Sequence, residues 1–380
     1  MKLIAALVVL FFFFFIFPQK LLAIEDPLSV TNNKIGVHIL FPSELKEAAI
    51  LVNSNGGDWG YVTIPIQAGE KDIVKWQKFM NEARTYHIIP LIRLATEGDY
   101  FNTVVWRKPK DEDIVDFANF LSSLDWPTQN KYVIIFNEVN RADEWGGGPN
   151  ASEYAQILDF AVFVFKQRSS DFFIISSGLD NASATIDGQS VNPFTFLRQM
   201  NQAVPGVFDR IDGLASHSYP NPAFSKPPDR LDRESIATYR FEKNLLYSFG
   251  RKKIPIFVTE TGWSRASVSD DTASSYFTYA FEHVWNDEDL VTITPFLLKA
   301  GPGQFGNFSL VDVGGNPNKK YQAVLDLHKV IGTPKLTTPS QVQIPTLEEN
   351  LVIKDFGELK NDKDFESVTI SVPDNVRTML

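Results

Sequence analysis

The sequence predicts an α/β protein, a (β/α)8 barrel followed by a short C-terminal extension of β character. Three observations carry that expectation. Eight apolar runs of strand length recur every 25 to 45 residues or so between residues 35 and 298. Each is followed by a longer stretch in which apolar residues return at intervals of three and four, as amphipathic helices require. Most of the runs read as near-continuous Ile, Val, Leu and Phe, the pattern of strands covered on both faces. Eight βα units in about 300 residues describe a closed barrel. An open doubly wound sheet would place a Gly-rich phosphate turn after its first strand, where Ile39-Leu40-Phe41-Pro42 stands instead.

The chain begins with an export signature rather than with the fold. Met1-Lys2 is a short positive segment, residues 3–17 are unbroken apolar, and Leu21-Leu22-Ala23 offers a small residue before a cut at Ile24. Residues 1–23 therefore read as a signal peptide or an N-terminal membrane anchor, and the protein is expected to be secreted or attached to the cell envelope. The barrel proper spans residues 34–332. Its strands are expected at 35–40, 60–66, 88–95, 132–139, 172–178, 211–219, 254–261 and 291–298.

The helices fit 43–52, 72–86, 113–124, 152–168, 193–204, 235–249, 272–285 and 319–331. In the second, Ile73, Trp76, Phe79, Met80 and Ala83 share a face; in the fourth, Tyr154, Ile157, Leu158, Ala161 and Phe165 do. Pro193 suits a first helical turn, the acidic run 111–113 suits a helix N-terminus, and Gly250 and Gly332 are expected at C-caps. Residues 333–380 form a linker with Pro334, Pro339 and Pro345, then two strand-like runs at 351–353 and 368–372. Two strands do not make a stable domain alone.

Composition narrows the function. Hydrophobic residues are 44% and charged residues 22% of 380, ordinary values for a packed globular chain. Thirty-six Lys+Arg against 46 Asp+Glu give a net charge of −10, which repels phosphate backbones, so nucleic acid is not an expected partner. Cysteine is absent, which excludes disulfides, thiolate metal sites and a cysteine nucleophile. The five histidines show no metal-ligand spacing, and no metal or cofactor is expected.

Barrel enzymes work at the C-terminal ends of their strands. There the fourth strand runs into Asn137-Glu138, the seventh into Glu260-Thr261-Gly262-Trp263, the sixth into Ser216-His217-Ser218-Tyr219, and the third carries Arg93. A carboxylate at an apolar barrel mouth is costly unless it is paired or functional. Two of them suit glycosidic cleavage, in which one carboxyl donates a proton and the other meets positive charge at the anomeric carbon.

Asn-Glu after the fourth strand, Glu after the seventh and His-x-Tyr at the sixth resemble the retaining glycoside hydrolases of clan A. Glu260-Thr261-Gly262-Trp263 looks like the nucleophile segment of family 17 and its neighbours. The stretch from Asn307 to Asp312, with Gly315-Asn316-Pro317 and Lys320-Tyr321, is similar to the segment after the eighth strand in families 5 and 39. The resemblance covers roughly residues 34–332. It implies Glu138 as acid/base and Glu260 as nucleophile, acting on a β-linked oligosaccharide or polysaccharide. It further implies that Asn137 binds a sugar 2-hydroxyl, that Tyr219 orients Glu260 or donates to it, and that His217 lines the floor. Arg93 would keep Glu260 ionised, although Glu97 and Asp99 are competing partners, and Glu260 would raise the pKa of Glu138.

Trp145 and Trp263 are expected either to stack on sugar rings or to pack their loops, and His38 either to contact hydroxyls or to sit in the core. The eighth strand departs from the clan. Where many members carry Trp, this chain reads Pro295-Phe296-Leu297-Leu298-Lys299, so that Phe296 or Lys299 must substitute. The same residues would serve a transglycosylase, and a barrel that binds glycan without cleaving it is the non-enzymatic alternative.

Overall fold

The computed structural model describes residues 24–338 apart from residues 252, 302 and 313. Residues 1–23, read as signal or anchor, and the strand-like runs at 351–353 and 368–372 lie outside the described residues. Among the described residues no helix is long and apolar enough to cross a membrane.

In chain order the elements are β1 (Gly36–His38), α1 (Leu45–Val52), β2 (Gly60–Gln67), α2 (Ile73–Thr85), β3 (Ile88–Ala95), α3 (Asp111–Ser122), β4 (Lys131–Ile134) and α4 (Ala151–Arg168). They continue with β5 (Phe172–Ile175), α5 (Pro193–Ala203), a single turn α6 (Val207–Arg210), β6 (Leu214–His217), α7 (Thr238–Ser248), β7 (Ile256–Thr261), α8 (Asp270–Tyr279), β8 (Leu290–Pro295) and α9 (Lys319–Asp326). All pairs are parallel, in the orders β1-β2-β3-β4-β5 and β6-β7-β8. Parallel bridges from Ile175 to Gly213 and from Ile35 to Ile293 join the two sets. The eight strands are those the sequence predicts, in order, and the architecture is a (β/α)8 barrel.

Helix starts follow local chemistry. Asp72 accepts from the amides of Val74 and Lys75, Asn150 from Glu153, and Asn192 from Phe194 and Thr195, with Pro193 at the first turn. Asp113 accepts from the amide of Lys110, so the acidic run at 111–113 does cap α3. Gly332 is not a C-cap. Helix α9 stops at Asp326, and Gly332 instead donates to the Asp58 carbonyl at 3.0 Å, where an added Cβ would press on the Asp58 carbonyl oxygen, the Trp59 Cβ and the Asn33 amide. Residues 333–338 stay on the barrel: the Gln129 amide donates to the Lys335 carbonyl at 2.7 Å, and Leu336 pairs with Thr128.

Alternation divides each strand between two cores. Val62, Ile64, Ile88, Ile92, Val133, Ile174, Leu214, Ile256 and Val258 face the helices. Tyr61, Ile89, Leu91, Tyr132, Ile134, Phe173, Ala215 and Phe257 fill the barrel, with Tyr132 at 4.9 Å from Phe173 and 5.7 Å from Phe257 between ring centroids. This aromatic plug closes the lower barrel and leaves its C-terminal mouth for chemistry.

Candidate active site

The inward rows deliver the site. On β3 the row Ile89-Leu91 ends in Arg93, and on β6 Ala215 is followed by His217 and then, just past the strand, by Tyr219. On β7 the register slips, with Ser216 opposite Val258 but His217 opposite Glu260. The extra residue is a bulge, and it moves Glu260 onto the side that Phe257 occupies lower down. Strand β4 ends at Ile134, short of the predicted 139, because Phe136 (φ 65°) and Glu138 (φ 38°) take left-handed backbone conformations. Such values are uncommon for bulky residues, and they turn Glu138 over the barrel mouth.

The two glutamates and His217 converge, with one donor atom from each within 4.8 Å of the others and all three residues buried. His217 Nδ1 lies 2.9 Å from Glu138 Oε1 and 3.6 Å from Glu260 Oε2. Arg93 Nη1 donates to Glu260 Oε1 at 2.6 Å and to Asn137 Oδ1 at 2.5 Å. The competing partner Glu97 is taken by Arg107. Tyr219 donates its hydroxyl to Glu260 Oε2 at 3.1 Å. Asn137 lines the cleft with its carbonyl oxygen turned to Arg93, so its amide nitrogen is the group left to offer a ligand.

Arg141, which motif reading passes over, donates to Glu138 Oε2 at 3.0 Å while gripping Asp143 with two further nitrogens. Its neighbour Glu144 lines the same cleft and is pushed up to about 8, first by burial and then by the charge of Glu138. The only sequence signal for either was proximity to Glu138.

Electrostatics reverse one expectation. Glu138 is not raised by Glu260. Burial does push it up, but the hydrogen bond from His217 and the charges of His217, Arg141 and Arg93 outweigh burial and hold Glu138 down at about 2. The partner moves the opposite way: burial lowers His217, yet Glu260 and Glu138 together raise it above its ordinary value. The opposite shifts favour an imidazolium facing a carboxylate, in a pair that titrates as one unit. The three donors have metal-like spacing, but Arg93 and Arg141 already sit on the two carboxylates, where a cation would meet guanidinium charge.

The other sequence candidates settle differently. Trp263 is 1% exposed, donates to the Lys226 carbonyl and packs on Phe277 and Trp285, so it is no sugar platform. Gly262, at φ 148°, turns the chain there and directs the indole into the helix layer. Trp145 is also 1% exposed, wedged between Phe136 and Tyr154 with its Nε1 on Glu153, and underlies the cleft wall rather than presenting a face. His38 is buried, edge-on to Phe296 at 5.2 Å, with Nε2 3.6 Å from Glu260 Oε1. Burial and the charges of Arg93 and His217 keep it neutral. Phe296, just past β8, lines the cleft, and Lys299 does not.

Gly178 holds the imidazole in place. A Cβ there would overlap the His217 ring, while the Gly178 carbonyl accepts from the Glu138 amide at 3.0 Å. Gly178→Ala is expected to displace His217 from Glu138 and to lower any catalysis by this cluster about 10²-fold or more, as a misplacement of about 1 Å does. Circular dichroism checks that the variant is folded, and unchanged kinetics would refute the positioning role.

No family model matches the chain, and no curated protein shows significant sequence similarity to it. Solved structures do match. A family 39 glycoside hydrolase from Bacteroides cellulosilyticus aligns over 80% of this chain and 64% of its own, at 15% identity and a TM-score of 0.52. The chain therefore spans about two thirds of that protein's length. A family 39 β-xylosidase from Caulobacter crescentus aligns over 78% and 72%, at 13% identity and 0.52. A family 5, subfamily 18 protein from Streptomyces cattleya, solved with Manβ1-4GlcNAc, aligns over 78% and 80%, at 12% identity and 0.52. The chain is a (β/α)8 barrel whose architecture resembles the family 5 and family 39 glycoside hydrolases of clan A, with a buried Glu–His–Glu cluster at its mouth.

Proposed function

We propose that the protein is an exported retaining β-glycosidase working by double displacement. The observation that carries this reading is the convergence of Glu138 and Glu260 from β4 and β7 on one cleft of about 760 Å³. Retention requires carboxyl groups roughly 5–5.5 Å apart, and inversion about 6.5–9.5 Å. One carboxylate oxygen of each glutamate lies within 4.8 Å of one of the other, a close approach that supports the shorter separation.

In the first step Glu260 attacks the anomeric carbon as the glycosidic C–O bond breaks, and the departing oxygen takes the proton of the Glu138–His217 pair through Glu138. In the second, Glu138 removes a proton from water, whose oxygen displaces Glu260 and regenerates the free carboxylate. Arg93 and Tyr219 fix both oxygens of Glu260 for in-line approach.

Nuclear magnetic resonance of the first-formed sugar tests the reading: retention gives the β-anomer from a β-glycoside, and initial release of the α-anomer would sink it. The same substrates give a pH test. Because the pair titrates as one unit with His217 raised above 6.5, kcat/KM should fall only as pH rises beyond that value. The limb should be steep for alkyl leaving groups and shallow for acidic aryl ones, which leave without protonation.

A further inference from the structure

The cleft has two unlike walls. One is polar, carrying Arg141, Asp143, Glu144 and Asp180. The other is a continuous run of rings leading outward from the nucleophile. Tyr219, bonded to Glu260, meets Phe308 at 5.8 Å, Phe308 meets Phe296 at 6.0 Å, Phe296 meets Phe305 at 5.4 Å, and Phe305 meets Phe101 at 6.3 Å. Phe101 is 44% exposed, and Val104, three residues on, is 83% exposed on the same cleft.

The loop that carries these two residues is built to present them. Asp99 accepts from the amides of Phe101 and Asn102 and from the Asn102 side chain, while Thr103 Oγ1 accepts from the Asp99 amide. The Trp106 amide donates to the Asp143 carbonyl, and the Gly146 amide to that of Trp106, which clamps the loop to the opposite wall. With its polar groups turned on one another, the loop spends its outward positions on Phe101, Val104 and Val105. Single exposed apolar residues are ordinary, but several together at a cleft mouth mark a binding surface. A valine offers a sugar neither a ring to stack on nor a hydrogen bond.

We propose that Phe101, Val104 and Phe305 form the binding site for an apolar aglycone, so that the substrate is an amphiphilic β-glycoside with an alkyl or acyl chain beyond its reacting sugar. The inference rests on the glycosidase reading, which places a sugar between the two glutamates and its substituent along the cleft. The wall lines the same cleft as Glu138 and Glu260, and that shared cleft is what selects this occupant over a separate partner.

The test reads binding, not turnover. Glu260→Gln protein is titrated calorimetrically with methyl, butyl and octyl β-D-glucosides and β-D-mannosides below their micelle-forming concentrations, and with cellotetraose. Each methylene buried is worth about fourfold in affinity, so affinity should rise at least tenfold from methyl to octyl and exceed that for cellotetraose. V104D and F101S, each added to the Glu260→Gln protein, should abolish the chain-length dependence. Val104 is so exposed that its substitution leaves the fold intact. Affinity independent of chain length, dependence that survives both substitutions, or no binding of either octyl glycoside would each overturn the proposal. Failure of hydrolysis in the wild-type protein would count against the glycosidase reading and leave this result standing.

Discussion

Glu260→Ala is expected to lower kcat/KM toward aryl β-glycosides by about 10⁴-fold or more, and added azide is expected to restore turnover with release of the α-glycosyl azide. The geometry dictates both halves. Truncation removes the carboxylate from a slot where Arg93 and Tyr219 point donors at it and the His217 imidazole lies 3.6 Å away. A small linear anion fits that slot, and from there it reaches the anomeric carbon on the face opposite the leaving group. One displacement inverts the centre once, hence the α-product. In Glu138→Ala, by contrast, the glycosyl-enzyme still forms, and azide enters from the other face, where water normally does. Two displacements restore the β-configuration.

Product stereochemistry therefore assigns each carboxylate its role independently of rate. A folded Glu260→Ala protein that ignores azide, or yields the β-azide, would overturn the assignment.

The fold was legible because strand order and helix phase depend on local apolar pattern, and the inward rows extend it by period two from Ile89 to Arg93 and from Ala215 to His217. Glu138 and Glu260 stood out as charges ending apolar strands. What pattern does not carry is how two strands meet. The bulge that turns Glu260 inward is a register event between β6 and β7, and the left-handed backbone at Phe136 and Glu138 has no glycine to announce it. The ionisation of Glu138 depends on His217, from β6, and on Arg141, from the loop after β4. Reading the carboxylate pair alone gave the wrong sign. Trp263 stayed open between stacking and packing for a similar reason: adjacency to Glu260 in sequence says nothing about which way Gly262 turns the chain.

Arg93→Met should be the most destabilising single change at the site, by about 3–5 kcal/mol at pH 7 in urea unfolding. Arg93 is 8% exposed, and one of its nitrogens serves both Glu260 and Asn137. Methionine keeps much of the volume and removes the charge, so Glu260, itself 6% exposed, retains the Tyr219 hydroxyl but loses its guanidinium. A buried carboxylate that has lost its nearest countercharge, with only His217 left 3.6 Å away, is the costly state, not the absence of the pair. Adding Glu260→Gln to Arg93→Met should therefore recover part of the loss, so that the double variant is more stable than the single one. Arg93→Lys should be milder in stability yet still impaired in kcat, because a mobile point charge cannot hold Asn137 and Glu260 in one plane. If Arg93→Met costs less than about 1 kcal/mol, or the double variant is no more stable than it, the ion pair is not what positions Glu260.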